Sequence, residues 1–232
     1  MDVWLEFAKG PLFALTFLIM FLGLARLAII QTYSIVRSKG RRLAAAPWRK
    51  ILAEAAGWVV PVRHLIPETR VFSVISYLFH IGALLVPLFL ASHVAMWERL
   101  FSISLPAMGR GLADFLTLGT IASLLFTLGF RIFSPRLRST SRPSDYVLLV
   151  VILLPFASGY MAMHPAWNPL PWMVMTLVHV LSAELLFVLI PFTKLSHIVL
   201  FFFDRISVLH WQLRPGAGDK VAEVLYGEEA RV

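Results

Sequence analysis

The sequence contains no cysteine and few charged residues, and both shortages exclude whole classes of protein. A chain without cysteine cannot by itself hold disulfides, iron–sulfur clusters or thiolate metal sites. Only 15% of the 232 residues are charged, whereas 59% are hydrophobic. A soluble domain of this length could not cover so much apolar surface. The composition therefore predicts an integral membrane protein.

Acidic residues are also scarce, with 13 Asp and Glu against 21 Lys and Arg, which gives a formal net charge of +8. In a soluble protein this excess would suggest a nucleic-acid partner. Here the cations cluster in short segments between apolar runs. Membrane topology explains such clusters better, so we expect a lipid bilayer and no nucleic acid as a partner.

Five apolar runs are long enough to cross a bilayer, and only helices can satisfy their backbone groups in lipid. The runs cover residues of about 10–36, 71–97, 111–133, 145–163 and 171–203. The N-terminal segment is acidic rather than basic, so we expect the first run to be an uncleaved span. The sequence predicts an all-α membrane protein, with one five-helix domain over residues 1–232 and a tail over residues 204–232.

The cations predict how the spans are oriented. Only Lys9, Arg99 and Arg110 fall on one side, and Arg26 lies within the first run. The other seventeen of the 21 are Arg37, Lys39, Arg41, Arg42, Arg49, Lys50, Arg63, Arg70, Arg131, Arg136, Arg138, Arg142, Lys194, Arg205, Arg214, Lys220 and Arg231. By the positive-inside rule, the N-terminus is periplasmic and the C-terminus cytoplasmic. We therefore expect a multi-pass protein of the inner, cytoplasmic membrane.

The first cytoplasmic loop contains an amphipathic segment, Pro47–Val60, with Trp48 and Trp58 as candidate interfacial anchors. Such a helix can lie on the cytoplasmic face of the bilayer. It can equally dock a partner subunit. The sequence leaves the two alternatives open.

Two histidines in the fifth run have the spacing of a single helix face. His179 and His197 are eighteen positions apart, which is five whole turns at ~100° per residue. The rise between them is roughly 27 Å, close to the thickness of a hydrocarbon core. We therefore expect one histidine near each side of the membrane, and both on one face.

The second run carries a matching pair, with His80 near its cytoplasmic start and His93 near its outer end. Because the second and fifth spans are antiparallel, depth pairs His80 with His197 and His93 with His179. Imidazole is a common axial ligand of haem iron, so the pattern predicts two haems held between these two helices. The thirteen-residue step would separate His80 and His93 by ~140° on a regular helix. Pro87 lies between them and can bend the helix.

Further polar residues lie in or beside the apolar runs. Arg110, Asp114 and His164 are expected to gather at the outer surface, where a quinol head group could bind. The alternative is an ordinary polar interface, which is the favoured interpretation for His164. Glu184 has Arg26 as a candidate partner, and its role in proton transfer, propionate binding or helix pairing is open. Arg26 is also a candidate partner for a haem propionate.

Four stretches of the chain resemble the gamma subunit of respiratory nitrate reductase and its wider group of five-helix, two-haem, quinol-oxidising cytochromes b. They are YLFHIG (77–82), LPAMGR (105–110), RIFSPRLRSTS (131–141) and PFTKLSHI (191–198). The resemblance implies that His80 and His197 ligate the haem b nearer the cytoplasm. It implies that His93 and His179 ligate the haem b nearer the periplasm.

The resemblance also implies a quinol site beside the outer haem, with Arg110 at the position of the family's basic residue. Electrons would pass from menaquinol or ubiquinol to an iron–sulfur subunit on the cytoplasmic face. In two respects the chain departs from the family: the histidine step in the second run is three residues longer, and Arg replaces Lys in the pocket. These departures point to a relative in a heterodisulfide-reductase-like or sulfur-metabolising complex. They leave the acceptor and the direction of electron flow open.

Two other functional classes compete with an electron-transfer subunit. A haem-free anchor would only hold soluble subunits at the membrane. An ion- or proton-conducting protein would use the histidines and Glu184 to line a path. Neither class needs four histidines at matched depths.

Overall fold

The computed structural model describes residues 2–39, 47–59, 70–212 and 216–226, and within these ranges it is all-helical with no strand. The helices are α1 (Asp2–Phe7), α2 (Phe13–Lys39), α3 (Trp48–Val59), α4 (Arg70–Phe89), α5 (Ala91–Phe101), α6 (Arg110–Phe133), α7 (Pro135–Thr140), α8 (Pro143–Met163), α9 (Trp172–Leu189), α10 (His197–Gln212) and α11 (Ala217–Tyr226). A π-helical turn, Ala8–Leu12, joins α1 to α2.

Five helical segments of the described residues are long and apolar enough to cross a membrane. They are Asp2–Ser38, Val71–Phe89, Arg110–Phe133, Pro143–Met163 and Trp172–Phe192. The predictions of an all-α chain and of a multi-pass membrane protein are thereby confirmed. The orientation and the particular membrane stay predictions.

The chain divides into two compact units. The first comprises Met1–Thr16 and Ile66–Leu186, and the second comprises Phe17–Leu65 and Phe187–Val232. The prediction of a single domain over residues 1–232 stays a prediction.

In the first unit, α6 packs between α4 and α8. The contact of α4 with α6 is close because Gly82 has no side chain. A Cβ atom at Gly82 would overlap the hydroxyl oxygen of Thr120 and would lie 2.9 Å from the carbonyl oxygen of Leu116. Thr120 is fully buried, and its hydroxyl donates to that same carbonyl oxygen. Small residues of this kind allow membrane helices to approach each other closely.

In the second unit, α3 packs on α10. Ile51 and Ala55 of α3 are buried, and Trp48 and Ile206 cover them. The predicted amphipathic helix is confirmed over Trp48–Val59, although the side chain of Trp58 lies outside the described part of the chain. Its buried apolar residues contact α10 of the same chain, which neither of the two predicted roles had included.

The second apolar run is not one helix over residues 71–97, so that expectation is wrong. The helix ends at Phe89, and Leu90 is extended, with φ −64° and ψ 133°. A new helix, α5, begins at Ala91. Pro87 weakens the last turn before the break because it cannot donate a backbone hydrogen bond. His80 and His93 therefore lie on two different helices.

The fifth run is also interrupted, and the expectation of one regular helix over residues 171–203 is wrong. After α9 the chain forms two short 3₁₀ turns, Ile190–Phe192 and Lys194–Ser196. Thr193 between them is extended, with φ −127° and ψ −175°. Because α10 begins only at His197, the eighteen-residue spacing no longer places His179 and His197 on one helix face.

Candidate functional site

The rings of His93 and His179 lie side by side within the first unit. Their centroids are 5.9 Å apart, and their planes are parallel to within 2°. Two imidazoles on opposite sides of one metal ion, with each nitrogen about 2 Å from the metal, have centroids roughly 6 Å apart. The predicted proximity of these two histidines is confirmed, and their spacing fits a haem iron held between them. Ligation itself stays a prediction.

The hydrogen bonds of the two rings are consistent with this fit. Nδ1–H of His179 donates to the carbonyl oxygen of Pro155 at 2.8 Å, and Nδ1–H of His93 donates to that of Val86 at 3.3 Å. In this tautomer Nε2 carries the lone pair. Metal-ligating histidines usually donate their other N–H to a carbonyl or carboxylate in this way.

The break at Leu90 brings the acceptor of His93 into reach. In a continuous helix, the carbonyl oxygen of Pro87 would accept the amide four residues further along the chain. Because the chain turns at Leu90, this oxygen instead accepts the indole Nε1–H of Trp97 at 3.1 Å. The neighbouring carbonyl oxygen of Val86 receives the His93 ring. The irregular backbone therefore holds two side chains of α5 against the end of α4.

The ring of His179 packs against Gly159 and Pro155 of α8, a contact that the sequence did not predict. We call this contact surface the seat of His179. A Cβ atom at Gly159 would come within 2.8 Å of Cε1 and 2.9 Å of Nδ1 of His179. Pro155, inside α8, supplies the carbonyl oxygen that the ring contacts. The available signal was a proline four positions before a glycine within an apolar span, since such a pair loosens and thins a membrane helix.

The second histidine pair presents the same tautomer. Nδ1–H of His80 donates to the carbonyl oxygen of Ser76 at 2.6 Å, and that of His197 donates to the carbonyl oxygen of Lys194 at 2.8 Å. A metal would therefore bind either ring through Nε2. Both rings are exposed. His80 belongs to the first unit and His197 to the second, so their pairing stays a prediction.

A polar cluster lies where α6 begins and α8 ends. One carboxylate oxygen of Asp114 is 3.9 Å from Nε of Arg110 and 3.4 Å from Nε2 of His164. Nη2–H of Arg110 also donates to the carbonyl oxygen of Met163 at 3.5 Å. The predicted gathering of Arg110, Asp114 and His164 is confirmed.

Helix α8 connects this cluster to the seat of His179. Gly159 contacts the His179 ring, and Met163, four positions later, accepts the arginine of the cluster. Four helical residues rise by about 6 Å. The cluster therefore lies close to the His93–His179 pair along α8, as a quinol site beside the outer haem would require.

A protein of Nitratidesulfovibrio vulgaris (strain Hildenborough) is 36% identical to this chain over 208 residues, which cover 86% of this chain and 89% of the relative. The chain belongs to the family of that protein. No family model matches the sequence, and no solved structure matches it. Because the alignment covers most of both chains, the relationship is one between whole proteins rather than between shared motifs.

In this member of the family, Glu184 is a further buried polar residue. Its side chain is 3% exposed, and neither carboxylate oxygen has a hydrogen-bond partner among the described residues. Arg26 is exposed and belongs to the second unit. The pairing of Arg26 with Glu184 and its role at a haem propionate stay predictions.

The described residues contain no group of three or more His, Asp or Glu side chains that could hold a metal ion. A haem iron with two axial histidines requires only a pair from the protein. The geometry of this chain can therefore do two things. It can hold a planar cofactor between His93 and His179, and it can bind and deprotonate a hydroxyl group near Arg110.

Proposed function

We propose that the chain is the di-haem cytochrome b subunit of a quinone-linked membrane oxidoreductase, similar to the gamma subunit of respiratory nitrate reductase. It carries electrons between menaquinol or ubiquinol on the periplasmic side and an iron–sulfur partner subunit on the cytoplasmic side. The observation that carries the proposal is the His93–His179 pair, with parallel rings 5.9 Å apart and both Nδ1 atoms bonded to backbone carbonyls.

A haem b bound here supplies a one-electron carrier. The protein's own contribution is to fix its two ligands. The bonds from Nδ1–H to Val86 and Pro155 hold the rings in one tautomer and make each Nε2 a stronger donor. The absence of a side chain at Gly159 leaves space for the ring of His179. The ligand geometry is therefore set by the protein before a haem binds.

The quinol half of the proposal is supported by the cluster at the end of α8. Arg110 is 70% exposed and presents a guanidinium that can bind a quinol oxygen. Asp114 and His164 lie beside it and can accept protons. A quinol head group needs these two kinds of group, a hydrogen-bond donor and a proton acceptor.

A proton-conducting membrane protein is the second candidate function. The observation that favours it is Glu184, a buried carboxyl group whose oxygens have no hydrogen-bond partner among the described residues. Ionisable residues inside a membrane protein often belong to proton paths. Haem content separates the two candidates, because a proton path needs no haem.

The decisive experiment is a dithionite-reduced minus oxidised absorption spectrum of the purified full-length protein, with the haem-to-protein ratio measured on the same sample. We expect b-type bands and two haems per chain. A protein without b-type bands would overturn the proposal and favour the proton path or the haem-free anchor.

The quinol site is tested by Arg110→Ala. Quinol-dependent haem reduction should slow by about 10- to 100-fold, the value of one charge-assisted hydrogen bond of roughly 1.5–3 kcal/mol. Both haems should stay bound, because the ion pair of an exposed arginine contributes little to stability. The matched control is Arg99→Ala, an exposed arginine of α5 on the same predicted side. Equal turnover in the two variants would exclude Arg110 from the quinol site.

A further inference from the structure

His164 lies between two hydrogen-bond acceptors. Its Nδ1 is 2.9 Å from the carbonyl oxygen of Tyr160, and its Nε2 is 3.4 Å from a carboxylate oxygen of Asp114. A neutral imidazole has one N–H, and an ionised carboxylate only accepts. The neutral ring can therefore donate to one of these oxygens, and only the imidazolium can donate to both. Nε2 of His164 and the carboxylate of Asp114 are therefore two proton acceptors only 3.4 Å apart.

The ring is held in this position and has a route to water. The ring of Tyr160 stacks on that of His164, with centroids 4.0 Å apart and planes 20° apart. The side chain of His164 is 17% exposed and that of Asp114 is 33% exposed. A proton held between them is therefore sheltered on the histidine side and reaches solvent through the carboxylate.

We propose that His164 and Asp114 together accept the protons released when quinol is oxidised at the cluster of Arg110. This inference rests on the proposed function, because it needs a quinol and a haem to receive its electrons. When the pair holds no proton, a lone pair on Nε2 faces a carboxylate oxygen. A proton taken from a quinol hydroxyl group replaces this repulsion by a hydrogen bond, which favours the transfer.

Oxidation of one quinol to the quinone breaks two O–H bonds and releases two protons and two electrons. The electrons would pass one at a time to haem bound at the histidine pairs, which would supply a one-electron carrier. The first proton becomes the N–H of His164 that donates to Asp114 and then leaves to water. The second proton takes the same route after the pair has been emptied.

Residues of both α6 and α8 lie beside the pair. On α6, Nε of Arg110 lies 3.9 Å from a carboxylate oxygen of Asp114. On α8, Tyr160 contributes its carbonyl oxygen and its ring.

The test measures the rate at which a quinol analogue reduces the haems of the purified protein, as a function of pH. In the unchanged protein the rate should rise with pH as the pair loses its proton. His164→Gln should lower the rate by about 100-fold, a typical value for a general base, and should abolish the rise. Reduction by dithionite should be unchanged. The matched control is Glu98→Gln, an exposed carboxylate of α5, which should keep both the rate and the pH profile.

Asp114→Asn provides a second, independent variant. It removes the anion that holds the proton on His164, so the rise in rate should move to lower pH. If His164→Gln does not fold, this shift decides the question. An unchanged pH profile in every variant that binds haem overturns the inference and leaves the proposed function standing. A protein that contains no haem overturns both.

Discussion

The two predicted haem sites differ in whether both histidines of the pair belong to one compact unit. His93 and His179 lie in one unit with their rings parallel, and neighbouring elements supply a carbonyl acceptor to each. His80 and His197 belong to different units, are exposed, and take their Nδ1 acceptors from the preceding turn of their own segment. The outer site is therefore supported by tertiary contacts, whereas the Nδ1 bonds of His80 and His197 are local.

This difference teaches where the precision of the outer site comes from. The acceptor of His93 is the carbonyl oxygen of Val86, across the break at Leu90. The acceptor of His179 is the carbonyl oxygen of Pro155 on another helix. A helical carbonyl oxygen keeps a second lone pair after its own backbone bond, so Val86 accepts both the amide of Leu90 and the ring of His93. Contacts with other elements, rather than bonds within the histidines' own helices, thus orient the two rings.

The largest effect is expected from His179→Ala or His93→Ala, which test whether the outer histidine pair holds a haem of its own. Each should remove the outer haem completely and lower the haem-to-protein ratio from two to one, because a single axial histidine remains. His80→Ala and His197→Ala should remove only the inner haem. The measurement is haem content together with the redox titration of the remaining haem.

A matched control for these variants is Thr176→Ala on α9, whose hydroxyl bonds only to the backbone of Trp172 within the same helix. It should keep two haems. If His179→Ala removed the inner haem and spared the outer one, the assignment of the two pairs would be wrong.

A smaller effect is expected from Gly159→Ala, which tests the support of the His179 ring by α8 and leaves both ligands in place. The new methyl group would lie 2.8 Å from Cε1 of His179, so the ring must move and its bond to Pro155 must lengthen. Loss of such a supporting contact typically lowers metal affinity by about 10- to 100-fold. Haem titration of the haem-depleted protein should show this loss at the outer site alone.

Gly129→Ala on α6 is the control for that substitution. Its methyl group would meet nothing within 4 Å, and alanine favours the helix. Equal haem affinity in the two glycine variants would show that the seat on α8 does not support His179.

The smallest effect is expected from Trp97→Phe on α5. The ring is kept, but the carbonyl oxygen of Pro87 loses its indole donor. One lost hydrogen bond costs about 1 kcal/mol, so thermal unfolding in detergent should begin a few degrees lower. Haem content should be retained. An unchanged unfolding temperature would mean that another donor replaces the indole.

Much of the site could be predicted from residue types and their order. The apolar runs indicated five spans, and the four histidines indicated the type of ligand. Because Arg110 and Asp114 begin one span and His164 follows another, their meeting could also be predicted. The breaks could not be predicted to the residue. Periodicity arguments assume a regular helix, and a proline does not determine which later residue becomes extended.

The sequence by itself determined the type of ligand at the candidate site, through two histidines in each of two apolar runs and the absence of cysteine. Only the tertiary structure decided how the rings are held. The spacing predicted one regular helix over the fifth apolar run, but α9 ends at Leu189. The eighteen-residue spacing of His179 and His197 therefore does not position the outer ligand. The position of the His179 ring depends on two residues of α8. Gly159 leaves space for the ring, and the carbonyl oxygen of Pro155 accepts its hydrogen bond.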